Sequence, residues 1–493
     1  MRSEWQWVKL GDHCVKIGSG ATPKGGKDSY FVQSQFSLIR SQNIYNDGFV
    51  PQGLAFISEN QAKKLDSVAV EVGDVLLNIT GDSVARVCMA PEDRLPARVN
   101  QHVIIVRTCP NSLDSRYLRY FLVSPFQQQI MHGLAASGGT RNALTKGMIE
   151  AFKVPCPPLP EQKQIADTLS SLDNMIGLNR QTNATLEAIA QALFKSWFID
   201  FDPVRAKMEG RQPEGMDDAT AALFPSEFVE SELGLIPKGW SVDELSKHVE
   251  VERGISYKGA GLREVGEGMP MHNLNSVYEG GGYKYPGIKF YAGHYADRHV
   301  AFAGDIIVAN TEQGHKHRLI GFPAIVPKKY AKAIYSHHIY RVRPRNESPM
   351  GNLAICYTLM APYVRQQIIG FANGSTVNML KMAGLQTPKF VCPLSEILQV
   401  FDGLVCSLHN SIEKLTQESE NLANIRDTLL PKLISGQLRI PVDMDAVENS
   451  PLPLAGEGLG ERDLCAYISP LAGRAKRRGL SRLGERVNFR LKS

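Results

Sequence analysis

The eight cysteines and twelve histidines of this 493-residue chain are the side chains best suited to metal or nucleophilic chemistry, and their spacing supports neither. Cys14, Cys88, Cys109, Cys156, Cys356, Cys392, Cys406 and Cys465 never form CxxC, so neither a zinc knuckle nor a disulfide framework is expected. HExxH and GxSxG are absent, and the segment nearest to a phosphate loop, ATPKGGKD (21–28), lacks the first glycine and the hydroxyl residue of GxxxxGK[ST]. Histidines gather at Gly314-His315-Lys316-His317-Arg318, but no acid or thiolate pattern completes a tetrahedral ligand set there. Surface or nucleic-acid contact is the expectation for that cluster, and a structural role for His337-His338, which opens a predicted strand. An Asn/Asp-Pro-Pro-aromatic motif, as amino-methyltransferases use, is also missing. The chain is therefore expected to hold no catalytic group and no metal.

Charge is distributed unevenly among the segments that would position any binding residues. The formal net charge of +5 resolves into +4 over residues 1–155, −7 over 156–235, +8 over 236–391 and −3 over 392–443. Residues 444–470 contribute −4, so the first 470 residues sum to −2, and eight Lys/Arg against Glu485 in 471–493 add +7. Two basic blocks alternating with two acidic ones fit a division of labour, the former facing phosphates and the latter facing protein or solvent. No run of about 18 apolar residues and no signal-peptide pattern occurs, so a cytoplasmic protein without a membrane span is expected.

The elements come as a duplication. SGGTRNALTKGMIEAFKVPCPPL (137–159) answers NGSTVNMLKMAGLQTPKFVCPLS (373–395) at an offset of 236, VGDVLLNITGD (72–82) answers AGDIIVANTEQ (303–313), and QHVIIVR (101–107) answers HHIYRVR (337–343). Val72–Ile79 and His102–Arg107 read as strands, and helical patches 115–123 and 126–132 flank Pro125. A long helix then follows each proline stop, the first running to about Phe198 and the second to about Pro431. Ile165, Leu169, Leu172, Ile176, Leu186, Leu193 and Trp197 in the first, and Phe401, Val405, Leu408, Ile412, Leu415, Leu422, Leu429 and Leu433 in the second, fall on a coiled-coil seam in which Asn179 and Asn183 are polar. Residues 197–218 read as irregular, and Gly20, Gly73 and Gly304 as turn formers.

IGSGATPKGG (17–26), LIRSQNI (38–44), GDVLLNITGDSVARVCMAP (73–91), PLPEQKQIADTLSSLDNMI (158–176), LFKSWFIDFDPV (193–204), RGISYKG (253–259), AGDIIVANTEQGH (303–315) and LLPKLISGQLRI (429–440) together resemble the specificity subunits of type I restriction-modification systems, over residues 1–440. The resemblance implies an α+β fold: two similar mixed α/β target-recognition domains separated by two long antiparallel coiled-coil helices. The boundaries expected are 1–155 and 236–391 for the two domains, 156–235 and 392–443 for the spacer helices with their linker, and 444–493 for a disordered tail. It implies double-stranded DNA as ligand, two modification subunits and the restriction subunits as partners, and S-adenosylmethionine, ATP and Mg on those partners rather than on this chain. Because the two blocks differ in sequence, the DNA target should be bipartite and asymmetric.

Lys and Arg mostly hold phosphates, while Asn, Gln, Arg and His in loops reach base edges. The candidates are Thr22, Lys24, Arg40, Gln42, Asn43, Thr80, Arg86 and Arg141 in the first block, and Arg253, Tyr257, Lys258, Asn273, Asn275, Thr311, Gln313, His315, Lys316 and Arg318 in the second. The competing reading is a coiled-coil scaffold that binds only protein.

Overall fold

The computed structural model describes residues 5–23, 25–137, 142–314, 316–374 and 377–440. The chain divides into two compact units, Met1–Leu178 with Glu418–Ser493, and Asn179–Gln417. We call them unit 1 and unit 2.

Each unit is built on the same four-stranded antiparallel sheet. In unit 1 the order is Cys14–Ser19, Val103–Thr108, Val75–Asn78, Val87–Met89. In unit 2 it is Val249–Arg253, Ile339–Pro344, Ile306–Ala309, Pro323–Ile325. The third strand of each is a buried run on both faces, apolar throughout in IIVA and up to the buried Asn78 in VLLN, which is why no alternation marks it in the sequence. A second sheet packs beside the first and contains one parallel pair in each unit, Phe36–Ile39 with Ala97–Val99 and Met269–His272 with Lys332–Tyr335. An antiparallel pair then closes each repeat ahead of the long helix, Gln6–Lys9 with Lys153–Cys156 and Ser241–Glu244 with Lys389–Cys392.

The Gly-Asp dipeptides of the repeat are structural. Gly73 and Gly304 take φ of +86° and +89°, so they are the turn formers the sequence indicated. The aspartate after each is buried and paired through both carboxylate oxygens, Asp74 with Arg107 (2.7 and 2.9 Å) and Asp305 with Arg343 (2.6 and 2.5 Å). Gly20 does something else. A Cβ there would overlap the carbonyl oxygen of Val99, and at the equivalent Gly254 it would overlap those of Tyr335 and Ser336. These two glycines let the edge strand of one sheet cross the backbone of the other, which corrects the reading of Gly20 as a turn former.

The two long helices are Leu159–Phe198 and Ser395–Ile434, each 40 residues. Asp173 meets Arg426 (2.7 Å) in unit 1, and the Asn183 amide donates to the Thr416 hydroxyl (3.0 Å) in unit 2. Advancing along one helix means retreating along the other, so they run antiparallel. Seam burial follows the globular surroundings: Ile165, Leu169, Leu172, Ile176, Leu422, Leu429 and Leu433 are buried in the core of unit 1, and Trp197, Phe401 and Val405 in that of unit 2. Leu186, Leu193, Leu408, Ile412 and Leu415 are only half-buried, as expected of a two-helix seam without a third layer. The second helix also passes through Pro431, because a proline one turn from the end costs only terminal hydrogen bonding.

Residues 197–218 are more ordered than the sequence indicated. Phe201 adopts a left-handed conformation (φ +56°) that turns the chain into the helix Asp202–Met208, and a further helix spans Asp218–Leu223. Trp197, Phe198, Phe224, Trp240 and Phe401 form a cluster of edge-on and tilted rings that anchors this segment in the core of unit 2. Among the described residues no helix is long and apolar enough to cross a membrane.

Candidate nucleic-acid interface

Strand register brings the loops of each unit together at one sheet end. In unit 1, Ile104 pairs with Ser19 and Val103 with Asn78. The exits of those two neighbours, Gly20–Thr22 and Ile79–Thr80, therefore lie beside the entry of the central strand at Gln101-His102. Phe36–Ile39 and Ala97–Val99 run parallel, which adds Arg40–Asn43 to the same end, and Asn100 N–H donates to Ile39 (3.2 Å). Thr80 also bridges to Ala143, and Gly81 N–H donates to Asn142 (3.0 Å). Unit 2 repeats this with Gly254–Tyr257, Asn310–Gln313 and His337-His338, and the strand Val377–Leu380 pairs with Thr311–Gln313.

Polar side chains are linked across these loops. In unit 1 the Thr22 hydroxyl contacts the Gln101 amide, whose nitrogen lies 3.1 Å from His102 Nε2, while His102 Nδ1 meets the Thr80 hydroxyl at 2.6 Å. In unit 2 the Thr311 hydroxyl meets His338 Nδ1 at 3.1 Å, the His338 and His337 rings are 3.9 Å apart, and His337 also faces Tyr257 at 6.2 Å. The Arg253 guanidinium donates to the His337 carbonyl (3.4 Å). Burial, and then His337, Arg253 and Lys289, hold His338 below the usual histidine range, so it is neutral at pH 7. Next to Arg253 an open cleft of about 560 Å³ is lined by Ser256, His294, Tyr295, Arg298 and His299, a basic and aromatic lining.

The histidine-rich loop of unit 2 is held from both sides. Glu312 accepts the backbone N–H groups of Arg318 (3.0 Å), Leu319 (3.0 Å) and Ile320 (2.9 Å). Burial opposes the Glu312 charge, but these three donors outweigh it and keep the carboxyl below its usual range. Arg365 donates to the carbonyls of Ile320 (2.9 Å) and His317 (3.2 Å) while its guanidinium lies over the Phe322 ring. Lys316 and Arg318 remain exposed on this braced loop.

A match to the family described as "Type I restriction modification DNA specificity domain" covers residues 2–188. The chain is similar to the type I restriction enzyme HindI specificity subunit of Haemophilus influenzae, 24% identical over 88% of this chain and 100% of the relative. It is likewise similar to the MjaIX specificity subunit of Methanocaldococcus jannaschii, 26% identical over 89% and 94%. Residues 2–188 thus carry a match to that family, and most of the chain is similar to type I specificity subunits. Its fold matches that of the type I restriction-modification system S subunit from M. genitalium, with a TM-score of 0.52 at 14% identity over 88% of this chain and 97% of that one.

The residues picked out by sequence separate into three groups. Thr22, Gln42, Arg253, Lys258, Asn275, Gln313, Lys316 and Arg318 are exposed; Arg40, Thr80, Arg86 and Tyr257 are half-buried, with Arg86 stacked over Tyr45 and Gln42 tied to the Gly53 carbonyl (3.0 Å). Asn43 (0% exposed), Asn273 (5%) and Thr311 (2%) are corrections: no base can reach them. Asn43 and Asn273 cap the turns after the parallel strands, accepting from Arg40 and Asn275 N–H and donating to Val50 and Gly287 carbonyls, and Thr311 is spent on His338. Lys24, Arg141, His315 and the tail 444–493 lie outside the described residues. The sequence reading did not single out Glu312, and it assigned His337-His338 to structure because the matching position holds Gln101-His102.

One group of metal-ligand type occurs among the described residues, Asp243, His248 and Cys392, with ligand atoms within 4.8 Å of one another. Asp243 is paired with Lys247 (2.5 Å), His248 Nδ1 with Ser348 (3.1 Å), and burial pushes the Cys392 thiol up to about 11. Asp243 and His248 also lie 3.4 Å apart, so these side chains are bonded to one another and to Lys247 and Ser348 within the fold.

Proposed function

We propose that this chain is the noncatalytic DNA-reading subunit of a type I restriction-modification complex, each unit reading one half-site of an asymmetric bipartite target. The supporting observation is that one backbone frame is used twice with different side chains at its open end: Thr22, Gln101, His102 and Thr80 in unit 1, Arg253, Tyr257, His337, His338 and Gln313 in unit 2. Two unlike readers on equivalent frames require two unlike half-sites. The acidic helical segments are then left for protein partners: two modification subunits that methylate adenine with S-adenosylmethionine, and restriction subunits that use ATP and Mg to translocate and cleave. The work is cytoplasmic.

Sequencing of methylated genomic DNA from a host carrying the complex tests this directly. A two-block motif with an unread gap, lost when this chain is deleted, is the expected result. Methyl transfer by this chain alone would overturn the noncatalytic assignment, and a purified complex with no sequence preference on random DNA pools would favour the protein-only scaffold.

A further inference from the structure

We propose that Gln101-His102 in unit 1 and His337-His338 in unit 2 are the specificity-determining pairs, reading base edges while a threonine from the adjoining strand fixes each second histidine. This deepens the DNA-reading assignment and rests on it.

The two pairs occupy one structural position. Each lies just ahead of the central strand, Val103–Thr108 or Ile339–Pro344, with the exits of both neighbouring strands beside it. The threonine contact is repeated, Thr80 to His102 Nδ1 and Thr311 to His338 Nδ1 (2.6 and 3.1 Å), although the residue in front of the histidine changes from glutamine to histidine. Repetition of the support together with variation of the supported residue is what a shared reading frame with two specificities requires.

Accessibility separates these residues from the more obvious amides. Gln101 is exposed and His102, His337 and His338 are half-buried, whereas Asn43 and Asn273 are closed off inside their turns. Engaging Nδ1 leaves Nε2 as the atom the His338 imidazole can offer to a base, as donor or acceptor according to the tautomer the threonine selects, whereas His102 Nε2 already faces the Gln101 amide nitrogen (3.1 Å), so His102 orients the exposed Gln101 amide that makes the unit 1 contact. The glutamine amide has the donor and acceptor needed for bidentate contact with adenine N6 and N7, and an imidazole suits the purine N7 and O6 acceptors. In unit 1 the amide and imidazole are already joined in a chain running Thr22, Gln101, His102, Thr80, so their donor and acceptor states are coupled. In unit 2 the two imidazoles lie against each other and Tyr257, with Arg253 bonded to the intervening backbone. Exposed Arg253 and Lys258 are placed to hold phosphates around that pair.

The test uses the full-length chain copurified with its modification subunits, selecting bound sequences from random DNA pools with wild type, Gln101→Ala, Gln101→His, His102→Ala, His337→Ala and His338→Ala. Each unit 1 variant is expected to lose about tenfold or more discrimination at one or two positions of one half-site, with the other half-site and the gap unchanged, and the unit 2 variants to do the same in the opposite block. Thr80→Val, which removes only the positioning hydroxyl, should blur the same position as His102→Ala. Unchanged preferences, or weakening equal on every sequence, would overturn the proposal. Should thermal unfolding show His102→Ala or His338→Ala to be misfolded, exposed Gln101 carries the decision. A wild-type complex without a two-block preference would instead overturn the DNA-reading assignment itself.

Discussion

Glu312 shows how a single buried charge can organise a surface it does not itself present. Three N–H groups converge on it, and hydrogen bonds to a charged acceptor are roughly twice as strong as neutral ones. Glu312→Gln keeps one acceptor oxygen and loses the charge, so a local cost of about 1–3 kcal/mol is expected. Hydrogen exchange at 318–320 should quicken, and DNA affinity should fall several-fold without loss of the fold. Its counterpart in the repeat, Gly81, has no side chain to do this, so the bracing belongs to unit 2 alone. His272 gives a pH dependence at the same scale. It is wholly buried, has Nδ1 3.1 Å from the Tyr283 hydroxyl, and burial pushes its pKa down to about 3. The unfolded chain takes up a proton below about pH 6.5 that the folded chain refuses. Stability is therefore present above that pH and is lost as pH falls towards 3, by at most about 1.4 kcal/mol per pH unit. Hydrogen exchange across Met269–His272, measured at pH 7 and pH 5, should show a loss of protection in wild type that is absent in His272→Gln.

At the level of elements, the crossing of two sheets in each unit depends on a missing side chain. Gly20→Ala and Gly254→Ala would drive a methyl group into backbone carbonyls that the second sheet holds in place, so each should destabilise its own unit by about 3 kcal/mol or more. Gly18→Ala, in the same strand as the approach to Gly20 but with nothing within 4 Å of its Cβ, should be neutral or slightly stabilising. Thermal unfolding of the three variants distinguishes a steric requirement from a general intolerance of the strand. Asp173 illustrates how a long helix is fastened to its own unit. Burial disfavours its charge, but Arg119, Arg426 and the Tyr120 hydroxyl outweigh that and hold its carboxyl below the usual range.

For the whole molecule, the resemblance implies two recognition domains separated by the long helices, and that implication has a quantitative consequence for the gap between half-sites. Four residues added to each helix at matching seam positions advance each by about 6 Å, close to two base pairs of DNA. The methylated motif should keep both half-sites and gain about two unread positions; an unchanged gap with retained methylation would remove the helices from that role. The duplication, the helix seam and the resemblance to specificity subunits were legible in the sequence, because they depend on residue type and spacing that survive without coordinates. The turn role of Gly73 and Gly304 was legible for the same reason, since positive φ is a local property. Tertiary structure decided what depends on register and burial. Antiparallel pairing of the central strand with both neighbours carries Gln101-His102 and His337-His338 to the threonines, although about twenty residues or more separate them in sequence. Burial withdrew Asn43, Asn273 and Thr311, because a side chain's chemistry is the same inside a turn as on a surface and only packing determines whether a ligand can reach it.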